Sequence, residues 1–141
     1  MGRFNHALDP KKRLTIPSSW REIMGQPKYV CVMPDKQKCC LRILPQAEMA
    51  ARMEELRKKA LFDPTLSKAL HVIGANSEQL ALDSQSRIRI SDKLLQFANL
   101  KTTVAMVGAV RTIELWSPEA LAPEDTVDQA ALADALDIVG F

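Results

Sequence analysis

The 141 residues, 47% hydrophobic and 26% charged, have the balance of an ordinary globular chain, which argues against wholesale disorder. No apolar run approaches the ~18 residues of a membrane span, and the opening MGRFNHALDPKKR lacks the apolar core of a secretory signal. Three cysteines, with Cys39 and Cys40 adjacent, make no disulfide framework, so a cytosolic protein is expected.

The first predicted strand runs up to Asp9, and a second follows with period-two alternation at Leu14 and Ile16. Ser19-Trp20-Arg21-Glu22 has capping-box spacing and predicts a short helix. Strands are then expected over 29–33 and 40–44. The middle reads as helical, with Met49, Met53, Leu56 and Ala60 on one apolar stripe and Glu54–Lys58 and Glu55–Lys59 as i,i+4 pairs. Asp63-Pro64 predicts a capped helix start, with Gly74 as its stop. Strand alternation returns at Ile88 and Ile90, Ser91 and Asp92 open another short helix, and strands follow over 102–107 and 111–116. Thr126 to Asp137 predicts a small acidic helix or a partly disordered tail.

Two of these stretches are copies. Leu8-Asp9-Pro10-Lys11-Lys12-Arg13-Leu14-Thr15-Ile16 aligns with Leu82-Asp83-Ser84-Gln85-Ser86-Arg87-Ile88-Arg89-Ile90 at a constant offset of 74. Tyr29-Val30-Cys31-Val32 answers Thr103-Val104-Ala105-Met106, and with a one-residue gap Leu44-Pro45 answers Ser117-Pro118. One unit is too small to bury its own apolar strands. The two are expected to complete one barrel or sheet about a pseudo-two-fold axis, with both D-x-x-x-R turns on one face.

The net charge of +2 hides an uneven distribution. Nineteen cations against eleven acids leave residues 1–116 at +8, while six acids and no cation leave 117–141 at −6. A basic body suggests a polyanion partner, and an acidic tail limits nonspecific attraction to it. Arginine offers a planar donor fork suited to phosphate or to guanine O6 and N7, and aspartate can hold both the turn and the arginine. Arg13 and Arg87 are therefore the candidate DNA-contact residues, with Asp9 and Asp83 in support. Arg3, Lys11 and Lys12 stand beside the first motif and Arg89 beside the second.

Phe4-Asn5-His6-Ala7-Leu8-Asp9, Lys11, Arg13-Leu14-Thr15-Ile16-Pro17 and Trp20-Arg21-Glu22 resemble the opening of the MraZ family of bacterial transcriptional regulators. Gly74-Ala75, Leu82-Asp83, Gln85, Arg87-Ile88, Ile90 and Ile113-Glu114-Leu115-Trp116-Ser117 resemble its second half. The likeness covers about residues 1–122. It implies an α+β, β-rich fold of two AbrB-like units, 1–44 and 75–122, forming a pseudo-two-fold swapped-hairpin barrel. A helical connector, 45–74, and an acidic tail, 123–141, complete the domain reading. The family's D-x-x-x-R residues carry over to Asp9, Arg13, Asp83 and Arg87. The implied function is sequence-specific binding of double-stranded DNA by a ring-shaped homo-oligomer, on G-rich direct repeats upstream of the division and cell-wall gene cluster. A cytoplasmic, nucleoid-associated protein with no membrane partner and no small-molecule substrate is implied with it. The chain departs from the family where glycine usually precedes the motif arginine: Lys12 and Ser86 stand there.

Other classes fit less well. His6 and His71 are isolated, Cys31 sits in a predicted core strand, and Cys39-Cys40 lacks metal-ligand spacing. No Walker loop, G-x-S-x-G or paired-carboxylate signature is present. An enzyme is not expected, nor a cofactor, nor a metal. The alternative within the fold is an AbrB-like antitoxin whose acidic C-terminal segment binds a toxin. RNA binding commonly uses aromatic platforms, which are scarce at 5% aromatic residues.

Overall fold

The computed structural model describes residues 2–35, 39–121 and 127–141. In chain order the first half holds β1 (Gly2–Ala7), β2 (Arg13–Thr15), α1 (Ser18–Ile23), β3 (Tyr29–Asp35) and β4 (Cys40–Pro45). Two helices follow, α2 (Gln46–Ala60) and α3 (Pro64–Asn76). The second half repeats the pattern with β5 (Glu78–Ala81), β6 (Arg87–Arg89), α4 (Asp92–Phe97), β7 (Thr103–Ala109) and β8 (Thr112–Trp116). A 3-10 turn at Pro118–Ala120 and α5 (Gln129–Val139) end the described chain. The fold is α+β and β-rich. Glu124 and Asp125 of the acidic tail lie outside the described residues.

Six strands form one antiparallel sheet in the order β1-β7-β8-β4-β3-β5, and β2 pairs with β6 as a separate ribbon. The ladder is open, with β1 and β5 as edge strands, so these strands do not close into one hydrogen-bonded barrel. Each edge strand pairs with the other copy: β5 with β3 through Tyr29↔Ala81, and β1 with β7 through Ala7↔Thr103. Matching backbone bonds extend both pairings, from Leu82 N to Lys28 O at 3.0 Å and from Leu8 N to Thr102 O at 2.8 Å.

Strand alternation assigns the two faces. Val30, Val32, Leu41, Ile43, Val104, Met106, Ile113 and Leu115 point to one side and are all at most 1% exposed. Leu14 and Ile16 of the first motif, Ile88 and Ile90 of the second, Trp20 and Met24, and Leu94, Leu95 and Ala98 cover that side as one core. Met33, Arg42 and Leu44 alternate to the opposite side, where α2 brings Met49, Met53 and Leu56 to the same cleft. The predicted stripe on α2 is thus partly inward, with Met49 buried.

Three local readings are corrected. The register pairs Val30 with Pro45 and Ala105 with Trp116, which places the counterpart of Pro45 at Ser117. The second hairpin is therefore shorter by two residues, not one. A one-residue slip of β8 against β7 would turn Ile113 and Leu115 away from the core, so their burial holds this register. The capping box at Ser19 does not form; α1 starts two residues earlier, at Ser18 behind Pro17, with no side-chain cap. The chain leaves the ribbon at Ile16, whose N–H bonds Ser86 O at 2.9 Å, and turns straight into the helix. Glu54 takes Arg57 at i+3 rather than Lys58, because the guanidinium reaches both carboxylate oxygens at 2.7 and 3.1 Å.

Elsewhere the predicted N-caps form, while the stop predicted at Gly74 does not. Asp63 accepts from Thr65 and Leu66 N–H, and Ser91 accepts from Leu94 N–H. Helix α3 runs past Gly74 to Asn76 and is closed by Ser77, whose hydroxyl donates to Ile73 O at 2.7 Å. The tail does contain a helix, capped by Asp128 and stopped by Gly140 with φ 92°. No helix among the described residues is long and apolar enough to cross a membrane.

Candidate functional site

The two D-x-x-x-R turns have the same bonding, atom for atom. Asp9 N–H donates to Arg13 O at 3.1 Å and Lys12 N–H to Asp9 O at 2.9 Å; Asp83 and Arg87 with Ser86 repeat this at 3.0 and 2.9 Å. Asp9 Oδ1 accepts from the N–H groups of Lys11 and Arg13 at 2.9 and 2.8 Å. Asp83 Oδ1 accepts from Gln85 and Arg87, both at 2.9 Å. The second carboxylate oxygen takes the arginine Nε, at 2.5 Å for Arg13 and 2.9 Å for Arg87. Using Nε leaves the Nη pair of each guanidinium without a partner among the described residues, a planar donor fork of the kind that can bond a phosphate or a guanine edge.

Strand register brings both turns to one ribbon. Arg13 faces Arg89, Leu14 faces Ile88, and Thr15 faces Arg87. Leu14 and Ile88 point into the core, so Arg13, Thr15, Arg87 and Arg89 share the outer face. Arg13 and Arg87 are half-buried and Arg89 is exposed.

Carboxylates so placed hold their protons weakly. At Asp9 partial desolvation pushes the pKa up, but the backbone N–H and guanidinium of Arg13, with the Lys11 N–H, pull it below the ordinary 3.8. At Asp83 the Arg87 N–H is the largest cause of a lowered pKa, opposed by desolvation and reinforced by the Arg87 guanidinium and Gln85 N–H. A depressed folded-state pKa stabilises the turns fully above the unfolded value of 3.8, and that contribution disappears only as pH falls below it. Carbon-13 carboxyl titrations should give midpoints below 3.8 for both residues; a midpoint above it would contradict this bonding.

The departures from glycine have a visible cost. Lys12 and Ser86 adopt φ of 62° and 59°, the left-handed region that glycine enters freely. Ser86→Gly should therefore raise stability by about 1 kcal/mol, or roughly 3 °C in Tm. A lower Tm would show that the turn tolerates serine without strain. Lys12 is the less clean test because its ammonium pairs with Asp92.

The remaining predicted residues fall in different places. Lys11 is exposed beside the first turn, whereas Lys12 is engaged by Asp92, a partner eighty residues away in sequence that local reading had not supplied. Arg3 lies on β1, paired with Val107, and belongs to the sheet rather than to the ribbon. Phe4 and Trp20 stack with centroids 4.9 Å apart, tying β1 to α1, a contact the sequence reading missed. Another unforeseen cluster, Asp35, Cys40 and Glu114, brings its ligand atoms within 4.8 Å of one another. Arg42 already occupies it, with Nη2 at 2.7 Å from Asp35 and 3.6 Å from Glu114.

Taken together, fold and site define a class: a β-rich protein of two sequence copies that presents a pair of carboxylate-braced arginines on one ribbon. Comparison with known proteins gives the class its family. Residues 73–122 match the family model described as "MraZ protein, putative antitoxin-like". The chain is 32% identical over 119 residues to the protein named transcriptional regulator MraZ of Caldicellulosiruptor saccharolyticus, covering 84% of this chain and 81% of that one. It is 29% identical to the protein of the same name from Clostridium acetobutylicum, over 100% of this chain and 99% of that one. With the Corynebacterium jeikeium protein of that name it shares 29% identity, over 98% and 94% of the two chains. The chain belongs to the MraZ family.

Proposed function

We propose that this protein is a sequence-specific DNA-binding transcriptional regulator that reads duplex DNA with the Nη forks of Arg13 and Arg87. The observation that carries the reading is the identical bracing of the two arginines, Nε to Asp9 and Nε to Asp83, on one two-stranded ribbon. A guanidinium fixed at Nε has lost its rotamer freedom before binding and still offers two donors, the geometry a guanine edge accepts. Lys11, Lys12 and Arg89 are assigned to backbone phosphates, Lys12 by exchanging Asp92 for phosphate, whereas Arg3 shares the sheet face of Glu114 and Arg42, away from the ribbon.

Two AbrB-like units, 1–44 and 75–122, are proposed to be related by a pseudo-two-fold axis as swapped hairpins. Support comes from the reciprocal pairings β1–β7 and β3–β5 and from the symmetric register of the ribbon. The barrel would be closed by ribbon packing over the core face, not by a continuous ladder. The connector 45–74 and the tail 123–141 stand outside the two units.

One ribbon is a small contact surface. A ring-shaped homo-oligomer presenting several ribbons to G-rich direct repeats, upstream of the division and cell-wall gene cluster, would gain by effective concentration. Such a protein would act in the cytoplasm on the nucleoid. The curated relatives bear the names of regulators, which favours a regulator over an antitoxin. Selection of bound duplexes from a random DNA pool, read by sequencing, tests the reading. Enrichment of spaced G-rich repeats is expected, and a pool that stays random would overturn it. Light scattering coupled to size exclusion should give several times the 15.7 kDa of one chain, and a clean monomer at micromolar concentration would refute the ring.

A further inference from the structure

The two motifs are equal in their turns and unequal in what lies across from them. Arg13 faces Arg89, whereas Arg87 faces Thr15. Ile90 N–H donates to Lys12 O at 3.1 Å and Ile16 N–H to Ser86 O at 2.9 Å, which makes those rungs the hydrogen-bonded ones. The alternate rungs, Arg13/Arg89 and Thr15/Arg87, are then the non-hydrogen-bonded pairs, whose side chains sit closest, with Cβ atoms about 5 Å apart.

Two like charges on such a rung repel. Asp9 compensates Arg13, but no carboxylate among the described residues bonds Arg89, although Asp92 lines the same notch. That notch, of about 150 Å³, lies between the first turn and Ser91 and is lined by Lys11, Lys12 and Arg89 among others. Near the second turn the cations are Arg21 and Lys28, which line a separate, wider cleft beside Asp83 and Ser86; Arg21 there donates its Nε to Ile16 O at 3.2 Å.

We infer that Arg89 is a phosphate clamp belonging to the first motif, and that it makes the two motifs inequivalent so that each subunit meets the duplex in one orientation. The inference rests on the DNA-binding reading above. A backbone phosphate seated between Lys11 and Arg89 would relieve the Arg13/Arg89 repulsion and fix the strand that Arg13 reads against. At the second motif Thr15 offers a hydroxyl and no charge, so Arg87 must read its base without an adjoining clamp. A near-symmetric fold thereby becomes a polar reader, which suits repeats that all run in one direction.

The test uses the full-length protein, a mixed-sequence 30-base-pair duplex and a duplex carrying one copy of the selected repeat. Arg89→Thr should weaken binding to the mixed duplex about fivefold at low salt and reduce the slope of log affinity against log salt by about one per subunit bound. Its Tm should stay level or rise, because a repulsive rung has been removed. Thr15→Arg combined with Arg89→Thr keeps the net charge, and should move the stronger hydroxyl-radical protection to the opposite side of the single repeat. An unchanged salt slope with an unchanged footprint, while Arg13→Ala still loses the selected site, would overturn the clamp and leave the DNA reading intact. Failure of the unsubstituted protein to bind either duplex would overturn both.

Discussion

Replacing Arg13 or Arg87 with alanine should weaken binding to the selected duplex by at least tenfold at fixed salt, with little change in Tm. One bidentate arginine–guanine contact is worth roughly 1–3 kcal/mol of discrimination, and each 1.4 kcal/mol is about tenfold in affinity. The Tm should hold because both side chains reach outward from the ribbon, and Asp9 and Asp83 keep their backbone N–H bonds when the guanidinium is lost. Lysine at either position separates charge from geometry. Arg13→Lys retains the cation but not the planar fork, so affinity for mixed-sequence duplex should persist while preference for the selected site falls. Fluorescence anisotropy with selected and mixed duplexes reads both quantities. Unchanged affinity in both alanine variants would remove these residues from the interface.

Much of this site was legible because the repeat is local information written twice. Asp9 to Arg13 and Asp83 to Arg87 keep their spacing and chemistry, and the turns they build are the same. The strands were legible from alternation, since Leu14, Ile16, Ile88 and Ile90 point into the core as their period predicts. What lay beyond reach was partner choice. Nothing in Gly2–Ala7 says that it pairs with β7 of the other copy, because the ladder uses backbone groups that every residue carries. The same limit hid the Lys12–Asp92 pair and the Phe4–Trp20 stack, both set by tertiary register. The hairpin gap went astray for a different reason. Two short strands can be aligned in several ways on residue type, and only the burial of Ile113 and Leu115 against the core selects the register found.

The tail was ambiguous for a compositional reason. Its acids suggested a solvated segment, while Leu132, Ala135, Leu136 and Val139 fall at helical spacing on one side of α5. Asp128 settles the start by accepting from Ala131 N–H at 3.0 Å, and Gly140 takes the left-handed stop. Weak periodicity in an alanine-rich stretch understates a helix that good caps and high propensity favour.

The largest stability effect should come from Leu14→Ala. Leu14 is 0% exposed and faces Ile88, itself 1% exposed, at the central rung of the ribbon. Removing the isopropyl end of the side chain leaves a cavity bounded by a three-residue strand on one side and the sheet core on the other. Such deletions cost about 2–5 kcal/mol, a large share of the roughly 5–15 kcal/mol that holds a domain folded. For a chain of this size that is a fall in Tm of about 7–15 °C. The outer and inner faces of β2 belong to the same three residues, so a ribbon that loses its inward anchor also loses the spacing of Arg13, Arg87 and Arg89. Leu14→Ala should therefore lower Tm and DNA affinity together, where Arg13→Ala lowers affinity alone. Ile88→Ala should behave alike, and because the two residues touch across one rung, the double variant should lose less than the two singles added. A Tm within about 2 °C of the parent for Leu14→Ala would mean the ribbon is held by its hydrogen bonds and not by this rung. Additive losses in the double variant would mean that each residue packs on the sheet independently of the other.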